Sequence, residues 1–493
     1  MKTANITAGP TVADRVVRLL AGVYLVTLLT LVVAFKWVFA DIVLVDPLFG
    51  VYGIVVCAFI VSRFALSVLY RPSEDHGLEP RVAIVMPAFN EEAAIADSLI
   101  SLLQLDYPAE KLEIVAVNDG STDATLTRMT DVAEIAGGRI EVIDLGRNRG
   151  KRAAMAAGIR ATDAEIIAFV DSDSVLEPDA MTKLVQGFHD EHVGAICGHA
   201  DVLNVKDTWL TKMQAVRYFV AFKVCKAAES VFGAVSCCSG CFSAYRRTAV
   251  LPHLSWWEHQ TFLGCESTFG DDRSLTNCVL RTWKVRYESR AISRTIVPDS
   301  FKTFMTQQVR WKRSWTRESL ILSSFMWRKH PLAALAAYVG MVLPLIAPVV
   351  AVRAVFVAPI QGAPVPVVYL TGIYVMAVAY GLYYVACQRR YSSIWVFGIV
   401  FCFFYLFFLL WQTYYAILTA RTSSWGTRPA TAGMEPTFEV AAQARSRAGG
   451  ALGARSPGLA MSVDTRPPGT GSTPPPARPA AAHAGIAQGM KHS

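Results

Sequence analysis

Long apolar runs at both ends of the chain, with a charged stretch between them, restrict this sequence more than any other feature. The first run, about Val16 to Ala40, carries Lys36 near its end, and the second, about Phe49 to Tyr70, carries Arg63. Three more follow at about Leu332–Val357, Val367–Ala386 and Ile394–Leu418. Each approaches the ~20 residues that cross a bilayer as a helix. No small-residue cleavage site follows the first run, so it reads as a retained span. A 53% apolar and 17% charged composition agrees with membrane insertion. The net charge of +8 is spread beside apolar runs rather than gathered in one patch. That pattern fits the positive-inside rule and no nucleic-acid partner.

Arg15, Arg18 and Arg71 flank the first two runs, whereas the loop Asp41 to Pro47 has no Lys or Arg. Both ends of this hairpin are therefore expected in the cytoplasm, and with them the central region. Two spans before it and three after would leave the C-terminus outside. Arg421 and Arg428 favour a cytoplasmic end instead. A bent, re-entrant or interfacial element within Tyr391–Leu418 would reconcile the two. Ten cysteines without small-domain spacing suit a reduced compartment. Cys238 and Cys241 form a C-x-x-C, but no second pair follows at zinc spacing.

Between Arg81 and about Val297, short β-branched strands alternate with helices. Arg81–Met86, Glu113–Val117 and Ile166–Val170 read as buried parallel strands. Each runs into an acidic loop: Asn90-Glu91-Glu92, Asn118-Asp119-Gly120, and Asp171-Ser172-Asp173. Open α/β sheets bind ligands beyond the carboxyl ends of such strands, which favours a nucleotide site. The expected organisation is a membrane hairpin over 1–72, an α/β domain over 73–300 and interface helices over 301–330. A C-terminal membrane region over 331–428 and a core-less tail over 429–493 complete it. The tail is rich in Ala, Gly, Pro, Ser and Arg.

Asp171-Ser-Asp173 can direct carboxylates at one hard divalent cation, although a solvated turn would carry the same residues. Gly150-Lys151-Arg152 can offer cations to a diphosphate, or simply begin a basic helix. In Gly270-Asp271-Asp272-Arg273, a carboxylate near an acceptor hydroxyl can act as general base, with Arg273 holding it by a charge-assisted hydrogen bond. Gln307-Gln-Val-Arg310-Trp311 sets an amide, a guanidinium and an indole within five residues. These suit a sugar and a phosphate, or a membrane-interface anchor.

Taken in order, these elements resemble the processive family-2 glycosyltransferases, and more narrowly the hyaluronan synthases and their chito-oligosaccharide and chitin synthase relatives. The resemblance covers about Arg81 to Arg428 and includes Trp425-Gly-Thr-Arg428. It implies a GT-A fold with a mixed, mostly parallel sheet inserted between transmembrane helices. It also implies an inverting displacement at the anomeric carbon, a Mg2+ or Mn2+ ion, UDP-sugar donors, a growing polysaccharide and a lipid bilayer as partners. Carried over by position, Asn90, Glu91 and Asp119 would contact the nucleotide, Lys151 the diphosphate, and Asp171 the donor. Asp173 would ligate the metal and Asp272 would be the base. Asp271, Arg273, Gln307, Arg310, Trp311 and Trp425 would line the acceptor and diphosphate region, and Arg428 would close over UDP.

Gly-Asp-Asp-Arg and Trp-Gly-Thr-Arg lean toward hyaluronan synthases. Asp207-Thr-Trp-Leu-Thr-Lys212 and Phe232-Gly-Ala-Val235 look closer to chito-oligosaccharide enzymes. Ser239-Gly240-Cys241 departs from the Ser-Gly-Pro usual in the former. Both readings share GlcNAc. A transporter with a regulatory domain is the competing class, but the late runs have few charges besides Arg353.

Overall fold

The computed structural model describes residues 30, 46–362, 365–387 and 392–422. The expected first span, the Trp425 and Arg428 segment and the tail lie outside the described residues.

Eight strands form one mixed sheet: β1 (Val82–Ala88), β2 (Leu112–Asn118), β3 (Ile140–Asp144), β4 (Ile166–Phe169), β5 (Ser174–Leu176), β6 (Val193–Val202), β7 (Ser243–Arg246) and β8 (Lys284–Thr295). Their order is β3-β2-β1-β4-β7-β6-β8-β5. The first four pair in parallel, as the unbroken apolar runs predicted, while β7 is antiparallel to both β4 and β6. Side chains alternate across a strand. Ile84, Met86, Ile114 and Ala116 thus enter the core on one face, and Val85, Val115 and Val117 enter the core on the other. Helices Ile95–Leu103 and Thr125–Ile135 cover the first face with Leu99, Leu102 and Met129. Each such side chain contributes roughly 1.5–3 kcal/mol when fully buried.

From β1 the chain winds outward to β2 and β3, then returns to β4 on the other side of β1. This reversal opens a crevice at the strand ends. The loops after β1, β2 and β4 are neighbours there for that reason.

Five helices matter to what the crevice holds. Helix α1 (Pro47–Leu69) precedes the sheet; α2 (Lys151–Arg160), α3 (Trp209–Phe219) and α4 (Asp271–Leu280) pack within it; α5 (Phe301–Met326) leads away from it. Where separate interface helices were expected over 301–330, one 26-residue helix runs instead, its Ser300 cap accepting from the Thr303 N–H. It has no internal Gly or Pro to stop it. Among the described residues, three helices are long and apolar enough to cross a membrane: Pro47–Leu69, Pro331–Ile360 and Val365–Cys387. Ser393–Leu409 and Gln412–Leu418 form a pair bent by 44°. The bend falls within Tyr391–Leu418, the segment in which a bent, re-entrant or interfacial element was expected. Arg353 pairs with Asp46 at 2.5 Å and ties two of these helices together.

Candidate active site

A cavity of about 870 Å³ lies over the ends of β1, β2 and β4. Asn90, Glu91, Asp119, Lys151, Asp171, Asp173, Asp271, Asp272, Arg273, Gln307, Arg310 and Trp311 all line it. Residues from three strand ends, two helix starts and α5, far apart in sequence, meet in one chamber.

On the strand-end side, the left-handed Asn90 (φ 53°) turns its Oδ1 to accept from the Thr122 N–H at 2.8 Å. That contact joins the loops after β1 and β2. Asp119 is buried and accepts from the N–H groups of Arg149 (2.7 Å) and Gly150 (3.0 Å), which positions the start of α2. Burial pushes the Asp119 carboxyl up, against the pull of those two amides. Lys151, the first residue of α2, forms an ion pair with Asp171. The field of Asp171, Asp271 and Asp272 outweighs burial and holds the Lys151 ammonium well above its ordinary range. This cation stays charged at any working pH.

Of the two readings of Gly150-Lys151-Arg152, Arg152 takes the structural one, near the start of α2, and its guanidinium is buried. It donates to Asp271 Oδ1 (2.7 Å), Gln260 Oε1 (2.7 Å) and the carbonyl of Trp257 (3.1 Å). Asp271, though a lining residue, therefore has its carboxylate engaged from behind. Gln260 in turn donates to Glu318 of α5 at 3.1 Å, and Glu318 pairs with Arg317 at 2.8 Å. A buried polar network so connects α2, α4 and α5. Its members Gln260 and Glu318 carried no pattern by which spacing could have found them.

Asp272 remains facing the cavity. Its Oδ1 accepts from the main-chain N–H of Arg273 at 2.7 Å, and Cys237 Sγ lies 3.6 Å from Oδ2. The hydrogen bond to Asp272 comes from the Arg273 amide, because α4 starts here and its first N–H groups need acceptors, while the Arg273 guanidinium feels the Asp272 charge. Gly270 makes that start possible. Its φ is +81°, and a Cβ there would lie 1.9 Å from Ser314 Oγ on α5. Only glycine lets α4 and α5 approach this closely, which brings Asp272 near the Gln307–Trp311 segment.

Asp173 is buried and accepts from Thr295 Oγ1 at 3.2 Å and Ser174 Oγ at 3.3 Å. Among the described residues no group of three or more His, Cys, Asp or Glu gathers to hold an ion by protein alone. An acidic oxygen opening on this chamber is the donor type that Mg2+ or Mn2+ takes. Such ions commonly use one or two carboxylates and complete their shell with substrate phosphates and water. The residues present fit that mode.

Gly240, in the loop before β7, presses on Asp171: a Cβ there would meet its Oδ2 at 2.9 Å and Oδ1 at 3.0 Å. Overpacking of this kind typically costs ~1–3 kcal/mol. Gly240→Ala should therefore shift Asp171 and raise the KM for donor about tenfold. Gly372→Ala, where a Cβ meets nothing, should leave it unchanged. Steady-state kinetics check both; an unaltered KM in Gly240→Ala would contradict a donor role for Asp171.

A sheet with three acidic strand ends, opening at its switch point on a chamber roofed by α5, is the construction of a GT-A glycosyltransferase. Residues 83–251 match the family model described as Glycosyl transferase family 2. Hyaluronan synthase from Streptococcus pyogenes is 32% identical over 387 residues, covering 77% of this chain and 90% of its own. An N-acetylglucosaminyltransferase of Azorhizobium caulinodans is 38% identical over 246 residues, covering 50% of this chain and 62% of its own. A solved mannosyltransferase from Pyrobaculum calidifontis, in complex with GDP-Man and Mn2+, is 20% identical. It covers 72% of this chain and 99% of its own, with a TM-score of 0.49. The chain belongs to glycosyltransferase family 2, as a relative of the hyaluronan synthases.

Proposed function

We propose that this enzyme builds hyaluronan processively from UDP-GlcNAc and UDP-glucuronate and passes the growing chain through its membrane helices. One observation carries the reading. The chamber that holds the acidic strand ends is also lined by Pro344, from a helix long and apolar enough to cross a membrane, and by Tyr405, Leu409 and Thr413, from the bent helix pair. A polymer end at Asp272 has its exit in the same cavity.

In the proposed reaction Asp119 accepts from the uracil N3–H, and Lys151 neutralises the diphosphate while Asp171 borders the donor sugar. Asp173 would hold a Mg2+ or Mn2+, which when bound would offset charge on the leaving diphosphate. Asp272 takes the proton of the acceptor hydroxyl as its oxygen attacks the anomeric carbon. The C1–O bond breaks on the opposite face, its electron pair leaves with UDP, and the configuration inverts. Gln307, Arg310 and Trp311 hold the acceptor end, with Asp271 and Arg273 beside it. The α/β domain faces the cytoplasm from the plasma membrane, on the side that supplies UDP-sugars.

The second reading is a chitin or chito-oligosaccharide synthase using UDP-GlcNAc alone. The 38% identity to the Azorhizobium enzyme favours it. Purified protein in lipid, supplied with UDP-GlcNAc with and without UDP-glucuronate, separates the two. Polymer that needs both donors and yields to hyaluronidase is expected. Polymer from UDP-GlcNAc alone would overturn the hyaluronan assignment.

A further inference from the structure

At the membrane end of the cavity stand two cations that no acid among the described residues answers. Arg217 on α3 donates to Gln308 Oε1 at 2.7 Å, and its guanidinium lies 5.3 Å from the Trp311 ring and 5.6 Å from that of Phe401. Lys312, next to Trp311 on α5, donates to the Leu409 carbonyl and to Thr413 Oγ1 (3.0 Å), with the Tyr405 ring at 5.2 Å. Every one of these partners is neutral. The groups that act on the Arg217 charge are its own burial, Tyr218 and Tyr405. Those acting on Lys312 are burial and Arg217, which push it down to about 8. No carboxylate is among them, whereas Lys151 at the other end has Asp171.

Two partly desolvated cations without a counter-ion cost free energy that an arriving anion would recover. A guanidinium braced by a neutral amide and two aromatic rings keeps N–H groups for a planar, bidentate acceptor. Both side chains line the cavity between Trp311 and the bent membrane pair, where a growing chain would leave. A chain of neutral sugars would pass them and leave both charges unanswered.

We propose that Arg217 and Lys312 form a subsite for the carboxylates of the growing polymer, selecting an alternating uronate chain over a neutral one. This rests on the reading of the enzyme as a polymer synthase that uses UDP-glucuronate.

The test uses the full chain in phosphatidylcholine nanodiscs, free of acidic lipid, titrated with a hyaluronan hexasaccharide, chitohexaose and UDP. The wild type should bind the hyaluronan hexasaccharide at least tenfold tighter than chitohexaose. Arg217→Gln and Lys312→Gln should each lose about tenfold for the anionic chain, with chitohexaose and UDP affinities within twofold, and Arg217→Lys should keep most of the preference. Equal losses for both oligosaccharides would reduce the pair to packing residues. A matching loss for UDP would assign them to the donor diphosphate; either overturns the subsite. The two proposals also fail separately. Polymer that needs both donors from an enzyme that does not discriminate the oligosaccharides removes the subsite alone. Discrimination by an enzyme that polymerises UDP-GlcNAc alone removes the product assignment alone.

Discussion

Replacing Asp272 with Asn lowers sugar transfer by about 10²–10⁴-fold, the usual worth of a general base, while UDP still binds. Asn is the same size, and its Oδ1 can still accept from the Arg273 N–H that Asp272 Oδ1 holds at 2.7 Å. The start of α4 should therefore survive. What disappears is the negative oxygen that receives the acceptor proton. Radiolabelled sugar incorporation reads the first effect and equilibrium UDP binding the second. Equal losses in both would move Asp272 out of the base role and into donor binding.

Arg152→Met gives the largest expected loss of stability. Arg152 satisfies Asp271, Gln260 and the Trp257 carbonyl in a place that water does not reach. Its removal takes the Arg152 ion pair away from the buried Asp271 carboxylate, which costs roughly 3–5 kcal/mol. For a domain of this size the unfolding midpoint falls on the order of 10 °C. The double variant Arg152→Met with Asp271→Leu replaces both charges by apolar groups and should recover much of that loss. Thermal unfolding of the detergent-solubilised protein checks both. A single variant that melts like the wild type would mean the network is dispensable. Activity is expected to fall with stability, because the same network sets α4 against α5 and so positions Asp272.

The acidic strand ends were legible because each part of the signal is local. A β-branched run terminated by Asp or Asn needs only its neighbours to be read, and β1, β2 and β4 formed where those runs lie. Gly270 was legible as part of a pattern. Its reason, the 1.9 Å approach to Ser314, belongs to a helix about forty residues away. The directions taken by the Arg152 and Arg273 side chains were not legible, for one shared cause. A cation beside an acidic pattern suggests a ligand or a clamp. Which way it points depends on what else is buried nearby, and Gln260 and Glu318 are not neighbours in sequence.

By itself, the sequence determined the alternation of strand and helix, the apolar helices on either side and the types of group at the strand ends. Periodicity and composition act over a few residues and do not depend on distant partners. Tertiary structure alone decided that the crevice lies between β1 and β4, that Asp271 faces Arg152 while Asp272 faces the chamber, and that Arg217 and Lys312 stand in it without an acid. Those outcomes follow from burial, where each charge must find its partner among groups that only the completed packing brings within reach.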